Sequence, residues 1–232
     1  FAALCRWRHP VRGTLSPGAF YKALESPGVG AELSDVALMG SFRAAAAFHE
    51  MGRDFGHISI NLNTLQLGRP DLSEIIEELQ QTYKVSSPEI VFEVLENVLI
   101  REKNTIHNNL HALSEAGFTI ALDDFGTGFA SLTHIREPFI REVKIDRSFV
   151  TNAGASPSDQ QIVAAIVQMA RKLGLRMVAE GIEDEETLRK LRAIGCTVGQ
   201  GFVFAPALPF EEAAEFLGRQ NRIYSLLEGS CL

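Results

Sequence analysis

The segment that decides the fold is Phe-Thr-Ile-Ala-Leu-Asp-Asp-Phe-Gly-Thr-Gly at residues 118–128. A short apolar run ends in two adjacent acids and is followed by a turn rich in glycine, which is typical of a buried strand that leads into a helix. A turn of this kind is often only a connection. The two carboxylates that precede it favour a functional site at the carboxyl end of the strand.

Similar apolar runs recur on both sides of this segment, and helical patterns fill the spaces between them. The predicted strands are Ala2–Trp7, Ile58–Asn63, Glu89–Leu95, Phe118–Asp124, Glu142–Asp146, Arg176–Glu180 and Val198–Val203. The predicted helices are Ala31–Met51, Leu72–Tyr83, Arg101–Ala116, Ser158–Leu173, Asp184–Ile194 and Phe210–Leu227.

This alternation predicts an α/β fold built from parallel βα units. Seven strands in 232 residues come close to a TIM-type (β/α)₈ barrel, which typically takes about 250 residues. A doubly wound open sheet is the alternative, but no GxGxxG motif follows the first strand, and polar strand ends occur along the whole chain. Because an open barrel would expose an edge, we expect the missing first strand upstream of Phe1 or from another segment or chain.

The helix Ser158–Leu173 has the clearest pattern. Ser158 and Gln161 fit a capping box, and Gly174 fits the position after the last turn. Its predicted apolar face consists of Ile162, Ile166, Met169 and Leu173.

The composition is that of a globular protein with a sizeable core, since 46% of the residues are hydrophobic, 22% are charged and the mean hydropathy is +0.04. No apolar run is long enough for a transmembrane helix. The net charge of −7, from 22 basic and 29 acidic residues, argues against a nucleic acid polymer as partner.

Three cysteines without CxxC spacing favour a reducing, cytoplasmic compartment, although a longer parent protein tethered to a membrane remains compatible. The chain starts at Phe1 without a charged segment before it. We therefore expect residues 1–232 to be a single barrel domain cut from a longer multidomain signalling protein.

The ends of the predicted strands carry most of the chemistry. In a barrel these ends meet at one rim. The residues at these ends are Asn61, Glu93, Asp123, Asp124, Lys144, Glu180, Glu183 and Gln200.

Five of these side chains are carboxylates and only one is a lysine, so they cannot all stay ionised without a counter-charge. Either several pKa values rise, or divalent cations bind. Oxygen ligands suit Mg²⁺ or Mn²⁺, and two such ions about 3.5–4 Å apart would clamp an in-line phosphoryl displacement.

In these segments and their order, the chain resembles the EAL-domain cyclic di-GMP phosphodiesterases. The matching segments are residues 3–10, Asn61-Leu62 with Gln66-Leu67, residues 93–96, residues 123–129, residues 143–150, residues 179–183, Gly195-Cys196 and residues 200–202. The resemblance implies a TIM-type barrel with one strand reversed, whose opening strand would precede Phe1.

The resemblance further implies hydrolysis of cyclic di-GMP to linear pGpG by a water that two Mg²⁺ or Mn²⁺ ions activate. The implied metal ligands are Asn61, Glu93, Asp123, Asp124 and Glu180. Lys144 matches the residue that holds the nucleophilic water, and Glu183 matches a position that completes the metal–water shell. We count Lys144, Glu180, Glu183 and Asp124 as the implied catalytic residues.

The same resemblance assigns residues to the substrate and to assembly. Its implied substrate contacts are Leu4, Arg6, Asp146, Gln200 and Pro206. Gln200 also matches the metal–water shell. Glu96 matches a residue that braces the loop after Asp124, which couples activity to a homodimer in the family. An upstream sensory or GGDEF-type domain is also expected.

One departure from the family pattern bears directly on activity. The family's name-giving Glu, a metal ligand, falls on Ala2, which supplies no oxygen. Losing even a supporting partner of a metal ligand typically lowers metal affinity or activity about 10–100-fold, so we expect impaired turnover. The alternative is a catalytically inactive cyclic di-GMP receptor. A sugar-phosphate enzyme would follow from the fold alone and is disfavoured.

Overall fold

The structure is a computed structural model that describes residues 1–24, 27–99, 104–126 and 134–228. It divides into two compact units. The first unit comprises Phe1–Val91 and Ala207–Leu232, and the second comprises Phe92–Pro206. In the described ranges, no helix combines the length and the apolarity that crossing a bilayer requires.

The first unit opens with a hairpin that the sequence analysis did not predict. Strands β1 (Trp7–His9) and β2 (Gly13–Leu15) pair antiparallel. His9 Nδ1 accepts hydrogen bonds from the backbone N–H groups of Val11 and Arg12 and closes the turn. The predicted strand Ala2–Trp7 is therefore wrong in its extent, because the chain turns back after His9.

Residues before this hairpin pair with strand β3 (Ile58–Asn61) through backbone hydrogen bonds. Ala2 and Ser59 form a parallel bridge. The N–H of Ala3 donates to Ser59 O at 2.8 Å, and the N–H of Ser59 donates to Phe1 O at 2.6 Å.

Within the described part of the first unit, five helices follow, together with a 3₁₀ turn at Ser87–Glu89. These helices are α1 (Pro17–Leu24), α2 (Pro27–Glu50), α3 (Thr64–Leu67), α4 (Leu72–Tyr83) and α10 (Phe210–Glu228). Phe48 on α2 is at the centre of an aromatic cluster, with ring centroids 5.4 Å from Phe55 and 4.8 Å from Phe210. These contacts bury apolar area, the main source of stability in such a core.

The second unit contains the regular part of the sheet. Strands β4 (Ile90–Leu95, which begins at the end of the first unit), β5 (Thr119–Phe125), β6 (Ile140–Ile145), β7 (Arg176–Ala179) and β8 (Val198–Gly199) follow chain order. The pairs β5–β6, β6–β7 and β7–β8 are parallel, so their carboxyl ends lie at one edge. This confirms the predicted parallel βα units.

The helices of the second unit are α5 (Glu96–Leu99), α6 (Asn104–Glu115), α7 (Arg147–Ala155), α8 (Pro157–Lys172) and α9 (Glu185–Ile194), with a 3₁₀ turn at His134–Arg136. Helix α9 begins and ends as predicted, since Asp184 caps it and Gly195 ends it. The start of the predicted helix Arg101–Ala116 lies outside the described residues.

Helix α8 corrects two sequence predictions. Its cap is Ser156 rather than Ser158, because α7 ends at Ala155 and Pro157 suits the first helical position. Its buried stripe is Val163, Val167 and Ala170, and Ile162 and Leu173 are 44% and 45% exposed. The two stripes are neighbours on the helix surface, and Ile166 packs against the core from the edge of the buried one.

Candidate active site

Two adjacent acids at the end of β5 form the centre of the site. In a regular strand, Asp123 and Asp124 would point to opposite faces. Here the register against β6 shifts between Leu122 and Phe125, and Asp124 has a φ of 53°, in the left-handed region. This irregularity brings carboxylate oxygens of Asp123, Asp124 and Glu180 within 4.8 Å of one another.

Lys144 lies beside this group and contacts carboxylates from three strand ends. Its Nζ is 2.6 Å from Glu93 Oε1, 2.5 Å from Glu180 Oε1 and 3.4 Å from Asp123 Oδ1. Glu93, Asp123 and Lys144 are all buried. Lys144 and the three carboxylates form one ionic cluster. These four side chains and that of Asp124 are called the acidic cluster below.

The charges in the acidic cluster perturb one another. Burial alone would lower the pKa of Lys144, but the carboxylates of Glu93, Glu180 and Asp123 outweigh burial and raise it. Burial raises the pKa of Glu180 to about 7, against the opposing attraction of Lys144. Burial, and then the charge of Asp123, raise the pKa of Asp124. The cluster thus holds more negative charge than Lys144 compensates.

This arrangement fits a divalent cation. Asp123 Oδ1 is buried and accepts no hydrogen bond from the part of the chain that the structure describes. With Asp124 and Glu180 it offers oxygen ligands, the type that Mg²⁺ and Mn²⁺ prefer. An added cation would compensate the surplus negative charge and would give Asp123 Oδ1 a closer partner than Lys144 Nζ at 3.4 Å.

Other predicted site residues of the second unit have local structural partners. Asp146 caps α7, with its Oδ1 accepting from the N–H of Ser148 at 2.9 Å. The N–H of Gln200 donates to Ala179 O, and Pro206 is the last residue of the unit. Buried Glu96 lies 3.8 Å from His134 Nδ1, measured from its Oε1.

Glu183 lies outside the acidic cluster's ion pairs. Its Oε1 accepts a 2.5 Å bond from Arg147, the first residue of α7. The sequence analysis assigned no role to Arg147 and so missed this contact. Charge pattern alone offered no signal for it, because the two residues are far apart in the chain.

The remaining predicted residues belong to the first unit. Ala2 is at the bridge with Ser59, and Asn61 is the last residue of β3. Leu4 is 51% exposed, and Arg6 is exposed with one N–H bonded to Cys5 O at 2.8 Å. Their proposed roles therefore rest on the sequence pattern.

Two curated relatives from Pseudomonas aeruginosa are similar over nearly the whole chain. The cyclic di-GMP phosphodiesterase NbdA is 34% identical over 215 residues, which cover 93% of this chain and 28% of that protein. The cyclic di-GMP phosphodiesterase PA2567 is 35% identical over 218 residues, which cover 94% and 37%. The chain thus spans about a third of the length of these relatives.

Solved structures resemble this one closely. The PaMucR phosphodiesterase in its c-di-GMP complex matches with a TM-score of 0.85 and 32% identity, covering 91% of this chain and 86% of that one. The EAL enzyme Bd1971, bound to cAMP and cyclic di-GMP, matches with a TM-score of 0.87 and 25% identity, covering 93% and 59%. This likeness confirms the predicted TIM-type α/β fold.

The family comparison covers most of the sequence. The family model described as EAL domain matches residues 1–207, a span that contains every residue of the acidic cluster. The chain belongs to the EAL domain family.

Proposed function

We propose that this chain is a cyclic di-GMP phosphodiesterase domain that opens one phosphodiester bond to give linear pGpG. The observation that carries the proposal is the acidic cluster, in which Asp123, Asp124 and Glu180 present oxygens within 4.8 Å of one another beside Lys144. The similarity to two cyclic di-GMP phosphodiesterases supports the choice of substrate.

Asp123, Asp124, Glu180 and Glu93 would hold the two divalent cations that we propose as cofactors, and the family pattern adds Asn61 as a further ligand. Bound there, the cations supply charge neutralisation of the phosphodiester and activation of water. The buried ammonium of Lys144 has three N–H donors, and the carboxylates of Glu93 and Glu180 hold it in place. These two contacts fix the direction of the third N–H. We propose that it orients the attacking water.

Binding of the dinucleotide must overcome a net protein charge of −7. Local positive groups therefore decide affinity. The exposed guanidinium of Arg6 suits a phosphodiester, because its planar fork donates two parallel hydrogen bonds.

We expect low activity from this chain because Ala2 supplies no oxygen ligand. Introducing a carboxylate by Ala2→Glu should raise turnover at least 10-fold, the lower end of the loss seen when a residue that supports a metal ligand is removed. The measurement is chromatographic detection of pGpG after incubation with cyclic di-GMP and Mn²⁺. The control is Val11→Glu, which adds the same charge at an 87% exposed turn position and should change nothing.

The second candidate function is a receptor that binds cyclic di-GMP without turnover, and Ala2 is the observation that favours it. Calorimetric titration with and without Mg²⁺ separates the two functions. Tight binding with no pGpG from either the original chain or Ala2→Glu would support the receptor. Absence of binding in both would refute both proposals.

A further inference from the structure

The side chain of Arg147 lies across the backbone of Gly181, directly after the cluster residue Glu180. A Cβ atom placed on Gly181 would lie 2.7 Å from Arg147 Cβ and 2.9 Å from Cδ, so a glycine is required there. Gly181 also has a φ of +68°, which glycine adopts without strain. The aliphatic part of Arg147 therefore packs directly on the segment that carries Glu180.

The guanidinium of Arg147 then extends to the far end of the same segment. Its Nη2 donates to Glu183 Oε1 at 2.5 Å. Both side chains are largely exposed, and an isolated exposed ion pair contributes little. Here the aliphatic part of the Arg147 side chain already packs on Gly181, and the ion pair with Glu183 adds a second contact. The two contacts of this one side chain hold residues 180–183 together.

Backbone contacts with the chain after β8 also hold this segment. The N–H of Ile182 donates to Gln200 O at 3.0 Å, and the N–H of Val203 donates to Ile182 O at 3.0 Å. Gly201 lies so close that a Cβ there would meet the carbonyl carbon of Ile182 at 2.7 Å. Residues 180–183 thus contact both the chain after β8 and the side chain of Arg147.

We propose that Arg147 is a positioning residue, which fixes the segment 180–183 and thereby aims the Glu180 carboxylate into the acidic cluster. This inference rests on the proposed function for its catalytic meaning. Arg147 follows Asp146 and β6, whose Ile145 O accepts the N–H of Glu180 at 3.1 Å. The continuous segment formed by β6 and the start of α7 therefore supplies both Lys144 and the residue that orients the facing carboxylate.

The test compares Arg147→Ala, Arg147→Lys and Glu183→Gln in the full chain. Calorimetry measures Mn²⁺ affinity, and hydrogen exchange in EDTA measures opening of a peptide that spans residues 179–184. Arg147→Ala should weaken Mn²⁺ binding about 10-fold, as loss of a partner that orients a ligand typically does. It should also speed exchange of the Ile182 amide about 10-fold.

Arg147→Lys keeps the aliphatic part and the positive charge, so its Mn²⁺ affinity and its exchange rate should stay close to those of the original chain. Glu183→Gln should change both readouts in the same direction as Arg147→Ala, but less. Arg219→Ala breaks an exposed ion pair with Glu215 on α10 and is the matched control, expected to change neither readout.

Equal exchange in Arg147→Ala and the original chain would overturn the inference, as would faster exchange spread evenly over the whole protein. If the original chain binds no Mn²⁺, the proposed function fails, and the exchange experiment in EDTA still decides the role of Arg147.

Discussion

Strand β6 carries two buried ionisable side chains that differ in the charge around them. Glu142 meets one basic group, with its Oε2 3.2 Å from Arg176 Nε. Lys144, two residues further along, meets three carboxylates. Since side chains two apart on a strand share a face, the two environments lie on one side of the same strand.

The difference shows how surplus charge separates a binding site from a structural ion pair. At Glu142 one acid faces one base, so the number of positive charges matches the number of negative charges. Around Lys144 the acids outnumber the base, and the protein keeps these charges together although like charges disfavour one another. A cation from solution is the simplest compensation, and three predictions test this contrast.

The largest expected effect follows from Lys144→Met, which keeps the side chain's length and removes its charge. Without the ammonium, buried Glu93 and its neighbours are uncompensated, and the free energy of unfolding in EDTA should fall by about 3–5 kcal/mol. Urea unfolding measures this change. Added Mn²⁺ should restore much of the loss, because it replaces the missing positive charge.

Arg176→Met provides the comparison for the other environment. The Arg176 side chain is 45% exposed, so its removal should destabilise the protein less than Lys144→Met, and Mn²⁺ should not restore stability. Equal losses with equal rescue in both variants would show that the two environments do not differ.

A smaller and opposite effect is expected from Asp124→Asn. This change removes a charge from the acidic cluster and suits the left-handed backbone, since asparagine tolerates a positive φ. The metal-free protein should gain about 1 kcal/mol of stability, the scale of a solvent-screened repulsion at 4 Å. Calorimetry should show Mn²⁺ affinity reduced at least 10-fold. Lower stability in EDTA would contradict this account of the cluster.

The smallest effect concerns Glu142→Gln and depends on pH. Burial raises the pKa of Glu142, although Arg176 opposes the shift. Above the ordinary carboxyl pKa of about 4.3, the folded protein therefore binds more protons than the unfolded chain, and stability falls as pH rises.

Glu142→Gln removes this pH-dependent loss of stability. The Tm of the variant, relative to that of the original chain, should therefore increase as the pH rises from 4 toward the raised pKa of Glu142. Melting curves at several pH values measure the difference. Exposed Glu211→Gln is the control, and a constant difference for Glu142→Gln across the pH range would refute the assignment.

The fold could be predicted from the sequence because parallel βα units require a regular alternation of apolar strands and helices. Apolar runs ending in polar residues predicted strands whose carboxyl ends meet, and Glu93, Asp123, Lys144 and Glu180 do come together. Their chemical roles remain proposals. Strand β8 is shorter than predicted, ending at Gly199, because the chain then crosses close to Ile182.

Other features could not be predicted because they depend on contacts distant in sequence. The register shift at Asp123 and Asp124 departs from strand alternation, and no local pattern announces it. The buried face of α8 lies one residue away from the predicted face, since both stripes are apolar and only packing selects between them. The contact of Arg147 could not be predicted because its partner Glu183 is 36 residues away in the chain.

The bridge at residue 2 has a consequence for substitutions at that position. Ala2 and its neighbours join β3 through main-chain atoms, so the pairing makes no demand on the side chain at that position. Under the proposed function, a substitution at this position would then add or remove a metal ligand without disturbing the main-chain pairing around it. Activity lost by that route would be recoverable by the reverse substitution, because the surrounding backbone stays in place.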